Sequence, residues 1–158
     1  MLSFDRSIDT RLSPEVLWEL LVEAFEDPAH SRIWPIALDE VSPITLRPGA
    51  TLEATYKLGP LHTHQRYVIG EVVEGQSLSY SALGSHPLKG GATVSVLESL
   101  QGSQLRWVGH YTPRLHPLAP GALLFVKLYF LNAFFASLEH KIRIQEATLD
   151  EAPRVHRG

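Results

Sequence analysis

Hydrophobic and polar residues alternate along two parts of the chain, as they do in strands with one buried face. The residues from Leu2 to Ile8 form the first such run. Between residues 38 and 112 further runs follow, separated by short turns that contain glycine or proline, such as Pro48-Gly49. Because parallel strands need long crossover connections, these short turns predict an antiparallel meander of about six to seven strands.

Apolar residues recur at helical spacing in the remaining segments. Ser13 is a predicted N-cap, and Pro14 is the first residue of the helix that follows the first strand. Residues 29–34 predict a short second helix that ends before Pro35. Residues 120–147 predict one long C-terminal helix. Sheet and helices are segregated along the chain, which predicts an α+β architecture.

The composition indicates one globular domain. The chain has 158 residues, of which 44% are hydrophobic and 20% are charged. We predict a single domain over residues 1–149 and a disordered tail over residues 150–158, which are polar and contain proline.

Charge and residue usage exclude several classes of function. The net charge of −3 gives no basic surface for nucleic acid, so no nucleic-acid partner is predicted. Cysteine is absent, which removes disulfides, thiolate nucleophiles and Cys-ligated zinc from consideration. The N-terminal residues do not form the apolar run of a secretory signal, and we therefore expect a cytoplasmic protein.

Three segments carry a resemblance to a known family: SPEVLW at Ser13–Trp18, DPAHSRIWP at Asp27–Pro35 and EVVEGQSLSY at Glu71–Tyr80. With the meander and the long last helix, they make residues 2–146 resemble the START-like, Bet v 1-type superfamily (SRPBCC). The similarity is to its bacterial polyketide cyclase/dehydrase and lipid-transport branch. The resemblance implies a helix-grip fold, in which a curved antiparallel sheet wraps around the C-terminal helix and an apolar cavity lies between them.

The segment APGALLFVKLYFLNAFFASL, Ala119–Leu138, is almost long and apolar enough to span a membrane. Its apolar side chains favour insertion by roughly 4 to 5 kcal/mol, but Lys127 costs about 2.5 to 3.5 kcal/mol and Asn132 adds a further penalty. Insertion is therefore close to neutral, and we predict no stable membrane span.

The same segment predicts a core helix with surplus apolar surface. One stripe is expected to pack on the sheet; it consists of Leu124, Leu128, Leu131, Phe135, Leu138 and Ile142. The first half also carries apolar groups on its other faces, among them Phe125, Tyr129 and Phe130, and these require a further partner. A ligand is the first candidate and a second copy of the chain, in a homodimer, is the second; the first two helices are another.

Four aromatic residues of the predicted strands, Tyr56, Tyr80, Trp107 and Tyr111, lie on the apolar side of their strands. Aromatic rings with a polar tip suit an apolar pocket that orients its ligand by a few hydrogen bonds. We take them, with Phe125, Tyr129 and Phe130, as candidate ligand-binding residues; the alternative for each is simple core packing.

The strand that contains His62, His64 and Arg66 has polar residues on one face, but its alternation is ambiguous. A bulge near Gly70 would resolve the conflict. A solvated face is favoured, while His64 and Arg66 are kept as candidate ligand contacts. A metal site shared with His110 is the weakest alternative, and we predict no metal and no cofactor.

The predicted function is the binding, transport or sequestration of an apolar small molecule such as a lipid, an isoprenoid, a quinone or a polyketide-like ring. The first alternative is a cyclase/dehydrase-like enzyme, which would need a titratable side chain such as His64, Arg66 or His110 inside the cavity. Because no such residue can be assigned, the sequence leaves enzymatic activity open. The second alternative is a protein-interaction module that uses the apolar C-terminal helix.

Overall fold

The structure is a computed structural model that describes residues 1–35, 38–58 and 60–151. The strands are β1 (Leu2–Thr10), β2 (Leu38–Val41), β3 (Thr51–Leu58), β4 (Leu61–Val73), β5 (Ser77–Leu83), β6 (Leu88–Ser99) and β7 (Gly102–Pro113). The helices are α1 (Pro14–Glu26), α2 (Pro28–Ser31), α3 (Ala119–Phe125), a π-helical turn (Val126–Phe130) and α4 (Leu131–Glu151). The last three are continuous and together form the C-terminal helix.

All seven strands form one antiparallel sheet in the order β1-β7-β6-β5-β4-β3-β2. The meander from β2 to β7 therefore has each strand beside its sequence neighbour, and the last strand pairs with the first, from Leu2 opposite Tyr111 to Thr10 opposite Ser103. The sheet curls into a half-barrel whose concave side faces the C-terminal helix. This confirms the predicted α+β helix-grip fold.

The two short helices begin at the predicted signals. The hydroxyl of Ser13 accepts a hydrogen bond from the backbone N–H of Val16 (3.3 Å), and Pro14 occupies the first helical position of α1. Helix α2 is shorter than predicted, because Arg32 adopts a left-handed conformation (φ 53°) and ends it.

The ambiguous alternation of β4 is explained by a bulge. The pairing of β4 with β5 shifts register between Ile69 and Val72, next to Gly70. Before the bulge the inner face carries Tyr67 and Ile69, and after it the inner face carries Val72. The predicted bulge is thus confirmed.

The stripe predicted for the C-terminal helix is buried only in its second half. Leu131, Phe135, Leu138 and Ile142 are buried, whereas Leu124 and Leu128 are 57% and 63% exposed. The cause is the π-helical turn, in which the N–H of Leu131 donates to the carbonyl of Val126, five residues earlier. The additional residue in this turn changes the helical phase, so the prediction for Leu124 and Leu128 is wrong.

Helix α4 extends into the segment predicted to be a disordered tail. Asp150 and Glu151 are helical, and the carboxylate of Asp150 pairs with the guanidinium of Arg11 (2.9 Å). Residues 152–158 lie outside the described residues, so disorder there stays a prediction.

One helix, Ala119–Glu151, passes a test of length and composition for crossing a bilayer, and 22% of its most apolar stretch is buried. A single helix of this kind is weak evidence for a span, because a helix in the core of a water-soluble domain can have the same composition. The absence of a stable membrane span stays a prediction.

Candidate ligand-binding cavity

A cavity of about 560 Å³ opens between the inner face of β3 and β4 and the start of the C-terminal helix. Its walls include Tyr56 and Tyr67 of the sheet, the turn that contains His86, and Ala122 and Phe125 of α3. A smaller space of about 40 Å³ continues inwards among rings that include Trp34, Tyr80, Trp107 and Phe134. Tyr56 and Tyr67 line both spaces and so mark the boundary between the entrance and the interior.

Tyr56 is positioned by aromatic contacts with the C-terminal helix. Its ring meets Phe125 edge-on at 6.2 Å and Phe130 at 5.9 Å between centroids. Phe130 in turn stacks parallel to Phe134 at 6.2 Å, which continues the aromatic wall towards the core. The phase shift of the π-helical turn is what places Phe125 and Phe130 against the same tyrosine.

A chain of hydrogen bonds runs along the cavity wall from β6 to β3. The backbone N–H of Leu88 donates to Nδ1 of His86 (3.0 Å), and Nε2 of His86 lies 2.8 Å from the hydroxyl of Tyr67. That hydroxyl lies 3.1 Å from the hydroxyl of Tyr56. The His86 side chain is 5% exposed. We call these four residues the entrance chain.

A second cluster of hydrogen bonds lies deeper. The indole N–H of Trp107 donates to the hydroxyl of Tyr80 (3.2 Å), which lies 3.3 Å from the hydroxyl of Tyr111. Trp107 and Tyr111 are buried. These rings pack in the core, while the hydroxyls of Tyr80 and Tyr111 pair with each other, as buried polar groups require.

The four tyrosines and His86 are uncharged at neutral pH; three further histidines, His62, His64 and His116, line the entrance. Burial raises the pKa of Tyr56 to about 12 and raises those of Tyr67, Tyr80 and Tyr111 as well. Burial, together with the positive charge of Arg114, lowers the pKa of His86 to about 4. Among the described residues that line the two spaces, none is a lysine, arginine, aspartate or glutamate.

One buried polar atom at the entrance, a side-chain oxygen of Gln65, can accept a further hydrogen bond. The side-chain amide of Gln65 donates to the hydroxyl of Thr63, and its carbonyl oxygen is the buried side-chain atom without a hydrogen-bond partner in the described part of the chain. A donor group on a bound molecule could satisfy this oxygen.

Most of the predicted site residues come together. Tyr56, Tyr80, Trp107, Tyr111 and Phe130 surround the inner space, and Phe125 lines the entrance cavity. Tyr129 differs: it is 43% exposed and packs against the outside of Phe125, with centroids 5.3 Å apart. The π-helical turn rotates it away from the cavity.

The structure places His64 and Arg66 on the outer face of β4, and their role as ligand contacts stays a prediction. Both lie beside the carboxylate of Glu53, at 3.6 Å and 3.2 Å, and both side chains are more than half exposed. The rim of the entrance reaches His64, but its imidazole is directed to Glu53. Because Tyr67 and Ile69 take the inner parity, the polar parity faces solvent. His110 is also exposed on the outer face, opposite Ser3 of β1.

Sequence reasoning missed Tyr67 and His86. Tyr67 could have been found from its shared parity with Ile69, once the bulge was accepted. His86 lies in a turn, where no periodicity indicates a direction for the side chain. Among the described residues no group of three His, Cys, Asp or Glu side chains could hold a metal ion.

Comparisons with known proteins agree with this architecture. No protein-family model and no curated protein sequence matches the chain. Solved structures do match. Ara h 8.0201, a Bet v 1 allergen, has a TM-score of 0.66 at 14% identity, covering 90% of this chain and 98% of that chain. A protein of unknown function from Staphylococcus aureus has a TM-score of 0.65 at 12% identity, with 92% and 96% covered.

A third structure, of a protein from Mesorhizobium loti, has a TM-score of 0.61 at 18% identity, with 96% of this chain and 99% of that chain covered. Identities this low support a statement about fold alone. The curled sheet of seven strands, the long C-terminal helix and these near-complete matches show that the chain has the Bet v 1-type, START-like fold.

Proposed function

We propose that this protein binds an uncharged, largely apolar small molecule in the cavity between the sheet and the C-terminal helix. The observation that carries the proposal is the cavity itself: about 560 Å³, open to solvent, and lined by apolar, tyrosine, histidine and uncharged polar side chains without a lysine, arginine, aspartate or glutamate among the described residues. Removal of apolar ligand surface from water supplies the driving force, and the paired hydroxyls orient the ligand. Lipids, isoprenoids, quinones and polyketide-like rings all belong to this class, and transport or sequestration are its expected uses.

The binding role is favoured over the cyclase/dehydrase alternative. The three residues expected to act as acid or base, His64, Arg66 and His110, are on the outer face. His86 does reach the cavity, but both its ring nitrogens are engaged by Leu88 and Tyr67. Neither arrangement supplies a free general base to a bound substrate, and the further histidines His62 and His116 line the entrance but not the inner space.

Native mass spectrometry of freshly purified protein tests the proposal through a co-purified small molecule. Titration with N-phenyl-1-naphthylamine, a neutral dye that fluoresces in apolar surroundings, tests it quantitatively. We expect Ala122→Trp, which fills the entrance, to abolish dye binding, and Ala136→Trp, at an exposed position of α4, to leave it unchanged. Equal dye binding by both variants, or no binding by the wild-type protein, would rule out the cavity as the site.

The apolar surface left outside the cavity concerns the predicted homodimer. Leu124, Leu128 and Tyr129 are 57%, 63% and 43% exposed on the outer side of the C-terminal helix. The homodimer stays a prediction, and equilibrium sedimentation at micromolar concentration would test it. A monomer throughout would leave these side chains without a protein partner.

A further inference from the structure

The hydrogen bonds of the entrance chain have a direction, because the backbone N–H of Leu88 at one end can only donate. The N–H of Leu88 donates to Nδ1 of His86 at 3.0 Å, so Nδ1 carries a lone pair and no proton. A neutral imidazole must then carry its proton on Nε2. Nε2–H therefore donates to the hydroxyl oxygen of Tyr67, 2.8 Å away.

The direction passes on to Tyr56. One hydrogen bond joins the hydroxyls of Tyr67 and Tyr56 at 3.1 Å. Cooperative polarisation favours the direction in which Tyr67, which already accepts from His86, donates to the oxygen of Tyr56. The chain thus runs from Leu88 through His86 and Tyr67 to Tyr56, each group donating to the next. The hydroxyl hydrogen of Tyr56 is left over at the end of the chain, at the boundary between the entrance and the interior.

The deeper cluster also has one donor too many. Trp107 donates to Tyr80, and one further hydrogen bond joins Tyr80 with Tyr111. Two hydroxyl hydrogens are present and that bond uses one of them, so one hydrogen remains whichever tyrosine donates. Both clusters therefore offer the cavity an unused O–H donor.

The charges around the cavity further restrict which ligand group can bind there. The described residues that line the two spaces include no lysine or arginine, and the histidines at the entrance, His62, His64 and His116, do not line the inner space. A carboxylate or phosphate beside Tyr56 would have to leave water without a lysine or arginine as its counterion, at a large cost in free energy. A neutral oxygen acceptor has no such penalty and can take the hydrogen of Tyr56.

We propose that the ligand is an uncharged apolar carbonyl compound whose oxygen accepts a hydrogen bond from Tyr56, the terminal donor of the entrance chain. This rests on the proposed function of the cavity and narrows its ligand class. His86 and Tyr67 are positioning residues: they occupy the acceptor side of the Tyr56 hydroxyl, so that its hydrogen is directed to the ligand. Ligands without an acceptor fit the same space but gain only from apolar burial.

Three probes of similar size separate these contributions: 2-acetylnaphthalene, its hydrocarbon counterpart 2-isopropenylnaphthalene, and 2-naphthoate. In the wild-type protein we expect the ketone to bind about tenfold more tightly than the hydrocarbon, the effect of one net hydrogen bond. The carboxylate should bind more weakly than the ketone.

Variants then assign the donor. Tyr56→Phe should weaken ketone binding about tenfold and leave hydrocarbon binding unchanged. Tyr67→Phe should reduce the preference for the ketone in part, and Tyr129→Phe, at an exposed position, should change neither. The infrared carbonyl stretch of the bound ketone gives a direct signature: it should lie at low frequency in the wild-type protein and move up in Tyr56→Phe.

The outcomes also separate this inference from the function on which it rests. If the hydrocarbon binds and the ketone is not preferred, or if Tyr56→Phe weakens both probes equally, the carbonyl assignment is overturned while the apolar cavity stands. If none of the probes binds and the dye does not bind either, both proposals fall.

Discussion

Glu146 provides the most quantitative test of how the C-terminal helix is held against the sheet. Its side chain is 9% exposed, near the end of α4. The carboxylate accepts hydrogen bonds from the hydroxyl of Thr10 (2.7 Å), the backbone N–H of Arg11 (2.9 Å) and the guanidinium of Arg143 (2.9 Å). The helix that covers the cavity is thereby tied to the end of β1.

The pKa of Glu146 expresses the strength of this attachment. Burial would raise that pKa, but the hydrogen bonds from Thr10 and Arg11 and the hydrogen bond and charge of Arg143 outweigh burial and lower it to about 2. Relative to the ordinary value of 4.5, the ionised carboxylate contributes roughly 3 kcal/mol to folding at neutral pH. A lowered carboxyl pKa stabilises the fold above pH 4.5, and this contribution is lost as the pH falls towards 2.

We therefore expect Glu146→Gln to reduce the free energy of unfolding by about 3 kcal/mol at pH 7, a fall in Tm of about 6 to 12 °C for a chain of this length. Urea denaturation at pH 7 and pH 3 measures the effect, and by pH 3 the difference from wild type should shrink to about half. The matched control is Glu139→Gln, which removes an exposed pair with Arg143 and should cost less than about 0.5 kcal/mol. A Glu146→Gln difference that is constant between pH 7 and pH 3 would refute the argument from charge.

Three further predictions test the cavity wall, the sheet and the helix. Burial lowers the pKa of His86 to about 4, so the unfolded chain binds a proton at this histidine at higher pH than the folded protein does. As the pH falls from 6.5 to 4, the free energy of unfolding of the wild type should therefore fall by roughly 3 kcal/mol more than that of His86→Gln, as measured by urea denaturation. Gly91→Ala should abolish soluble expression, since a Cβ there would collide with the backbone of β5. Gly121→Ala has open space around it and should stabilise the helix by up to about 1 kcal/mol, which a rise in Tm would show. Leu138→Ala should cost about 2 to 5 kcal/mol by urea denaturation and the exposed Leu128→Ala much less; equal costs would contradict the phase assigned to the helix.

The sequence was sufficient for the fold because the two periodicities are physically enforced. A strand with one buried face must alternate, and short glycine-containing turns permit only antiparallel neighbours. The same logic identified Tyr56, Tyr80 and Trp107, since each lies on the apolar parity of an unambiguous strand. It did not decide between the two faces of β4, where both parities mix polar and apolar residues until the bulge at Gly70 is known.

The pattern of apolar and polar residues could not predict features that depend on single hydrogen bonds. His86 lies in the cavity wall because the backbone N–H of Leu88, two residues further along the chain, donates to its Nδ1. Residues in turns have no repeating face from which such a position could be predicted. The entrance chain then follows from the distances to Tyr67 and Tyr56. The sequence indicated an apolar pocket lined by aromatic residues with polar tips. Which hydroxyl donates to which could be argued only from the hydrogen-bond geometry of each pair.

The π-helical turn connects the fold to the proposed site. An uninterrupted α-helix would continue the stripe of Leu131 and Leu138 back through Leu128, and aliphatic side chains would then face the sheet over the whole length of the helix. The i to i+5 hydrogen bonding of the turn at Val126 moves that stripe outwards. Phe125 and Phe130 take its place and hold the ring of Tyr56 from the helix side. One wide turn thus exchanges leucines for aromatic rings at the point where the cavity opens, which is consistent with the occurrence of such turns at functional sites.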